Sequence, residues 1–301
     1  MLIDGGNVAD GQLLFTFLTE TMPTEQLKYV VATHPHEDHI GGLPAAFTAC
    51  RVDTLFTTVL EYEGSTCFDS LMRFAGCSGA AIVKPQAGDT YTLGGATFTF
   101  LSPVREDYSD INDASLVIRL TYGQRSFLFM ADASWHAEND ILDSGRELRS
   151  DVLRVGHHGS GTSTSSAFLM EVLPSYAVIS VSADNAYGHP VTETLDILDY
   201  YQIDPYRTDQ DGTILCMTDG DRLVFLTEKD GSEEAAAQDA TDTALPAAAA
   251  YVGNSKSLRY HRPDCDGAVS MSVSHRIFFR TREDAVKFGF TPCGSCHPEL
   301  D

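Results

Sequence analysis

The chain is short of positive charge. Its 301 residues carry 20 Lys and Arg against 43 Asp and Glu, a formal net charge of −23. Such a body repels polyanions at long range. That excludes a non-specific coat on nucleic acid, though not a local cleft that admits one phosphodiester. Long apolar runs are missing too: no stretch of about 18 apolar residues exists, so nothing here reads as spanning a membrane. No signal-peptide pattern stands at Met1. Cysteine is scarce, seven in all. Cys50, Cys67, Cys77 and Cys216 are scattered singly and read as small buried apolar side chains, with a Cys67–Cys77 disulfide as the alternative. This usage leaves the redox compartment open. Between Glu228 and Ala250 bulky apolar residues are nearly absent, Leu245 excepted. Such a segment buries too little surface to fold. The expected organisation is a body over 1–227, an acidic flexible linker over 228–250 and a second unit over 251–301.

What is present is concentrated in His34-Pro35-His36-Glu37-Asp38-His39. It follows Tyr29-Val30-Val31-Ala32, a short buried strand by its apolar run. It precedes a Gly41-Gly42 turn into a helix. Three imidazoles and two carboxylates beside a core are costly unless something pairs them. A divalent metal does so: imidazole and carboxylate ligate Zn²⁺ and, with more oxygen, Mn²⁺ or Fe²⁺. Further along, Ser126–Asp132 and Asp151–His158 are strand-like runs that end in polar ligands. A hairpin is signalled by β-formers around Gly94-Gly95. Helices are expected over residues 11–19, 68–75, 166–173 and 192–201, and a closing hairpin ends at Leu226.

The string THPHEDHIGG resembles the HxHxDH signature of the metallo-β-lactamase superfamily. The series Asn112-Asp113-Ala114-Ser115-Leu116-Val117, Val155-Gly156-His157-His158-Gly159-Ser160, Asn185-Ala186-Tyr187-Gly188-His189-Pro190 and Arg207-Thr208-Asp209 resembles its ComEC-like branch, over residues 1–226. The resemblance implies an α/β fold, the αββα sandwich, and two divalent ions, Zn or Mn. His34 and His36 would serve one metal, Asp38 and His39 the other, with Asp132 bridging. One of His157 and His158 is expected to complete the second metal, His157 being favoured as the first off the strand, with the other left for substrate or proton transfer. Asn112 stands where many members have a third His, and it is counted with Ser115, Ser160, Asn185 and Tyr187 among the substrate contacts. Asp4 would orient a ligand rather than bind metal. His189 would meet the substrate phosphate or leaving group. Ala131 replaces the family's Gly before the bridging Asp. The family also has a preceding strand, often with DVGQGD, that is absent here, so the chain reads as a fragment.

The tail carries His261-x3-Cys265 and Cys293-x2-Cys296. One His and three Cys at these spacings suit a closed tetrahedral structural Zn²⁺. A small α+β unit of this size has little core, so the metal would supply much of its folding free energy. Its surroundings resemble the zinc domain of Ada-type methylphosphotriester repair proteins. His261 stands where those have the methyl-accepting Cys, so repair is not expected. Arg259, Arg262, Arg276, Arg280 and Arg282 are candidate nucleic-acid contacts.

These readings combine into a metallo-hydrolase of phosphodiesters, DNA or a nucleotide, in which Asp38 and Asp132 hold the attacking water, His189 stabilises charge and His158 protonates the leaving oxygen. The rivals are ester, lactone or lactam hydrolysis on the same metals, and a binding module without turnover. The acidic body and tethered zinc unit fit an exported protein.

Overall fold

The computed structural model describes residues 1–229 and 245–300. It divides into two compact units, 1–84 with 239–301, and 85–238. Of the expected linker, residues 230–244 lie outside the described residues.

The first unit opens with four parallel strands in chain order: β1 (Leu2–Ile3), β2 (Gln26–Ala32), β3 (Arg51–Thr57) and β4 (Ala81–Val83). Parallel pairing needs crossovers, and helices supply them. The run Val30-Val31-Ala32 is buried throughout, as a strand covered on both faces should be. The expected helix over 11–19 is an α-helix, Gly11–Thr16, that widens into a π-turn, Phe17–Thr21. The longest helix, Thr66–Ser78, starts where Ser65 accepts a hydrogen bond from the Phe68 amide and stops at left-handed Gly79. Cys67 and Cys77 both lie on it, roughly 15 Å apart along the axis at 1.5 Å per residue. They cannot bridge, and all seven cysteines are free thiols.

The second unit is built on a seven-stranded sheet: β5 (Thr90–Leu93), β6 (Ala96–Phe100), β7 (Ile118–Tyr122), β8 (Arg125–Phe129), β9 (Val152–Arg154), β10 (Tyr176–Ile179) and β11 (Pro205–Arg207), each beside the next. The first four pair antiparallel and the rest parallel. Leu93 faces Ala96 across the expected Gly94-Gly95 turn. The helices Trp135–Asp143, Ser166–Val172 and Thr192–Tyr200 bury Ala137, Ile141, Phe168, Leu169 and Leu198 in one core with Leu128, Leu153 and Ile179 from the strands. A hairpin, β12 (Ile214–Thr218) with β13 (Leu223–Thr227), closes the unit. Its Phe225 stacks on Tyr206, centroids 4.5 Å apart.

The Arg207-Thr208-Asp209 motif is structural. Thr208 Oγ1 accepts from the Val181 amide at 2.7 Å and donates to the Val181 carbonyl at 2.8 Å. Arg207 donates twice to Asp209, at 2.7 and 3.1 Å. That guanidinium holds the Asp209 carboxyl below the usual range. A depressed carboxyl stabilises the fold above its unfolded pKa and loses that contribution as pH falls through its folded value. Urea melts of wild type and Arg207→Met should therefore differ most at about pH 7 and converge towards about pH 3. A constant difference across that range would refute the assignment.

The tail holds β14 (Tyr251–Asn254), β15 (Arg259–His261), β16 (Arg276–Phe279) and β17 (Thr291–Pro292), in the order β16-β14-β15-β17. Here the expected tethered domain is corrected. Val252, Tyr260, Phe278, Phe279, Phe288 and Phe290 lie in one buried cluster with Phe15, Leu43, Phe47, Leu55 and Phe74. Phe15 meets Phe278 at 5.7 Å and Phe74 stacks on Phe288 at 4.8 Å between centroids. Leu245 packs on this cluster, and the Ala248 amide donates to Glu20 at 3.0 Å. The physical reason is aromatic content. A tail this rich in Phe has apolar surface that its own small sheet cannot cover, and the helices after β1 and β2 cover it. Three of the expected nucleic-acid arginines are structural as well. Arg276, Arg280 and Arg282 donate to the carbonyls of Met271, Ala49 and Glu299.

Candidate metal centres

In the first unit the ligands leave the end of β2. His34 is 1% exposed and His39 2%. His34 Nε2 lies 3.1 Å from His36 Nδ1, and the His34 and His39 ring centroids are 4.1 Å apart. Asp38 Oδ2 is 3.9 Å from His39 Nε2. Asp4, just past β1, braces this loop. Its Oδ1 accepts from the Thr33 amide at 2.9 Å. Its Oδ2 accepts from the Thr33 hydroxyl at 2.8 Å and from His39 Nδ1 at 2.7 Å. A carboxylate only accepts, so Nδ1 carries the His39 proton and Nε2 keeps its lone pair. Asp4 adopts the left-handed region at φ 57°, which Asp tolerates better than most residues. The Gly41-Gly42 turn has to be glycine. A Cβ on Gly42 would stand 2.1 Å from the Gly5 carbonyl oxygen, and one on Gly41 2.4 Å from the Val8 amide nitrogen.

In the second unit Asp132, 3% exposed, follows β8 after left-handed Ala131 (φ 49°). Glycine takes that conformation without strain, which is why the Ala here is an exception. The Ala131 carbonyl is tied down twice, by the His157 amide at 2.8 Å and by Arg154 Nη1 at 2.8 Å. His157 and His158 are both left-handed, φ 48° and 55°. Two successive non-glycine residues there mark a loop held in place for its side chains. His158 Nδ1 lies 2.8 Å from the Ser180 carbonyl and His158 Nε2 3.6 Å from Asp132 Oδ2. A carbonyl also only accepts, so His158, like His39, donates from Nδ1 and turns Nε2 towards a carboxylate. His157 Nε2 is 3.7 Å from the same carboxylate, but its Nδ1 faces the Thr162 hydroxyl at 3.2 Å, which can donate or accept. Both rings thus lie beside Asp132, and they differ in what holds Nδ1, a carbonyl for His158 and a hydroxyl for His157. Gly159 (φ 83°) packs on Pro190, where a Cβ would come within 2.5 Å. His189 lies beside His157, ring centroids 5.8 Å apart. Burial, then the neighbouring His157 and His158, lowers its pKa below the ordinary imidazole value. Its Nδ1 is buried with no hydrogen-bond partner, and so is the amide oxygen of Asn112.

The sequence model of the metallo-β-lactamase superfamily matches residues 1–183. The chain belongs to this superfamily. Each unit, a sheet with helices, is one α/β half of its fold class. The chain is 31% identical to ComE operon protein 3 of Bacillus subtilis over 67% of its own length and 26% of that protein. It is 29% identical to competence protein ComA of Neisseria gonorrhoeae over 71% of its length and 28% of that protein. These relatives place it in the ComEC-like branch of the superfamily, and the chain spans about a quarter of their length. Among solved structures, CmlA, a diiron β-hydroxylase from Streptomyces venezuelae, aligns with a TM-score of 0.46 at 15% identity, over 70% of this chain and 47% of that one.

Two features of this metallo-β-lactamase chain fit divalent ions: the Nδ1 atoms held by Asp4 and the Ser180 carbonyl, and the carboxylates of Asp38 and Asp132 beside the opposite ring nitrogens. Asp4→Ala frees the His39 ring to turn. It should weaken metal binding about 10- to 100-fold, read as the metal per chain retained after dialysis against graded chelator. Unchanged retention would show that Asp4 does not set the ligand.

Several expected substrate contacts are engaged inside the second unit. Ser115 Oγ accepts from the Asp132 amide at 3.3 Å. Ser160 Oγ is held by Thr162 at 3.0 Å. Asn185 clamps the turn before Pro190, its Oδ1 taking the His189 amide at 2.8 Å and its Nδ2 reaching the His189 carbonyl at 2.8 Å. Tyr187, 83% exposed, is left facing outward.

Two residues escaped sequence reasoning. Asp113 accepts from the Ser134 amide at 3.2 Å and from its hydroxyl. Fully buried Glu138 caps the 164–165 turn, accepting from the Thr164 amide and, at 2.9 Å, from the Ser165 amide. Burial pushes the Glu138 carboxyl up. Glu138 has no motif and Asp113 fills an unassigned slot of one; each reads as a plain acid until the fold closes over it.

In the tail, one ligand atom from each of His261, Cys265, Cys293 and Cys296 lies within 4.8 Å of all the others. Gly267 makes room, since a Cβ would reach 2.8 Å from the His261 ring. Burial raises the Cys293 thiol pKa, but amides of Cys296 and Ser295 outweigh it and lower it. Burial, then the Cys265 and Cys293 thiols, pushes Cys296 up to about 11. Sulfur crowding of this kind suits a thiolate-binding ion such as zinc.

Proposed function

We propose that this chain is a metal-dependent phosphodiesterase acting on DNA or a nucleotide, with His34, His36, Asp38 and His39 of the first unit and Asp132 and His158 of the second as its metal ligands. One observation carries the reading: two histidines, one in each unit, have Nδ1 against an oxygen that only accepts, the Asp4 carboxylate for His39 and the Ser180 carbonyl for His158. Superfamily membership supports the hydrolytic class. The nucleic-acid substrate draws support from relatives named for competence. Divalent ions, when bound, supply Lewis acidity and bring the pKa of water into the neutral range.

The residues of the chain do the rest. Asp4 and the Ser180 carbonyl hold the ligand rings. Arg154 secures the Ala131 turn that aims Asp132. His189, kept neutral by burial, offers hydrogen bonding to a phosphoryl oxygen without bringing charge. His157, beside it, is placed to deliver a proton to the leaving oxygen. The tail zinc is structural, and the Ada-type resemblance assigns it no reaction.

The test is elemental analysis of the purified protein with a panel of dinucleotide, oligonucleotide, lactone and lactam substrates under Zn²⁺ and Mn²⁺. Phosphodiester cleavage that Asp132→Ala abolishes is the expected result. Turnover of lactam or lactone alone would move the assignment to that rival. Metal binding with no turnover of any substrate would leave a binding module.

A further inference from the structure

Tyr187 is the exposed end of a row of rings. Its side chain is 83% exposed. On its covered face it stacks on His189, centroids 5.8 Å apart and planes at 17°. His189 in turn adjoins His157, which lies 3.7 Å from Asp132. The loop that carries Tyr187 is anchored on both sides of it. Asn185 Nδ2 donates to the Ser182 and His189 carbonyls at 2.7 and 2.8 Å, and Asn185 Oδ1 accepts from the His189 amide. An aromatic ring on an anchored loop, stacked on one face and with the other in water, is an unfilled stacking position.

Charge narrows what would fill it. With a net charge of −23, the protein has little electrostatic attraction for a phosphate backbone. Two arginines of this unit are already engaged, Arg154 with the Ala131 carbonyl and Arg207 with Asp209. A flat π-face needs no net charge to bind a ring, and nucleobases bind aromatic platforms irrespective of sequence.

We propose that Tyr187 is the platform on which a nucleobase flanking the scissile phosphate stacks, so that the substrate class is a nucleotide-bearing diester rather than a sugar or alkyl diester. The proposal rests on the phosphodiesterase reading, and its test separates the two. A non-hydrolysable dinucleotide carrying 2-aminopurine is titrated into metal-loaded wild type, Tyr187→Phe and Tyr187→Ala, with an abasic analogue and a glycosyl phosphodiester as competitors. Expected are fluorescence quenching on binding to wild type, a similar affinity for Tyr187→Phe and an affinity about tenfold weaker for Tyr187→Ala. The abasic analogue should bind wild type and Tyr187→Ala alike. Equal dinucleotide affinity in wild type and Tyr187→Ala, or no quenching, overturns the platform. A Tyr187→Ala loss that is equal for the glycosyl diester and the dinucleotide overturns the base in favour of a sugar. Quenched binding without cleavage of the hydrolysable dinucleotide leaves the platform standing and removes the phosphodiesterase.

Discussion

Cys293→Ser is expected to unfold far more than a tail. Cys293 supplies one of four clustered ligand atoms. A structural zinc contributes an apparent ~10–16 kcal/mol to the folding of small zinc peptides. Losing it takes away order from β14–β17, and with them Phe278, Phe279, Phe288 and Phe290 leave the cluster they share with Phe15 and Phe74. A single Phe-to-Ala truncation in a core costs about 3–5 kcal/mol, and a whole domain is stable by only about 5–15 kcal/mol. The variant should therefore lose about 4 kcal/mol or more, roughly 10 °C in melting temperature. Hydrogen exchange should rise in β2 and β3 as well as in the tail, because the helices covering those strands are what the tail packs on. If only residues beyond 250 lose protection while β2 and β3 keep theirs, the shared core does not couple them. Excess chelator on wild type should reproduce the variant.

His158→Ala and His157→Ala are expected to fail in different ways. With His158 as a ligand, its removal should take away about one ion per chain and lower turnover by about a thousandfold or more. With His157 as the proton donor, its removal should leave both ions in place and lower turnover about 10²- to 10⁴-fold. Only His157→Ala should spare a substrate whose leaving group departs without a proton, such as a nitrophenyl diester. Metal content by mass spectrometry, alongside rates on nitrophenyl and alkyl diesters, separates the two. If His157→Ala loses the ion and His158→Ala keeps it, the ligand assignment returns to the one the sequence suggested. The physical basis is the proton on each ring. The Ser180 carbonyl commits His158 Nδ1 to donation, whereas the Thr162 hydroxyl commits His157 to neither state.

Much of the candidate site was legible because metal chemistry restricts residue types. His34, His36, Asp38, His39 and Asp132 stand out as ligands wherever they are met at the end of apolar strands. The zinc quartet of the tail is equally plain, since few other uses exist for paired His and Cys at those intervals. Supporting residues were harder to see. Asp113 and Glu138 are unremarkable acids in sequence, and only burial against amides shows what they hold. Ser115, Ser160 and Asn185 lay in the right motifs, yet their polar atoms turn inward to the backbone rather than out to a substrate.

The sequence by itself determined the chemistry: which donors are available, that strands deliver them, and that the tail carries a second, sulfur-rich cluster. Tertiary structure showed what each of two adjacent histidines meets and that the tail shares its core with the first unit. Both answers depend on partners far along the chain. Ser180 lies 22 residues from His158, and Phe288 hydrogen-bonds through its carbonyl to Arg73, 215 residues away. Local propensity records what a residue can offer. What that residue meets is set only when distant segments close over it.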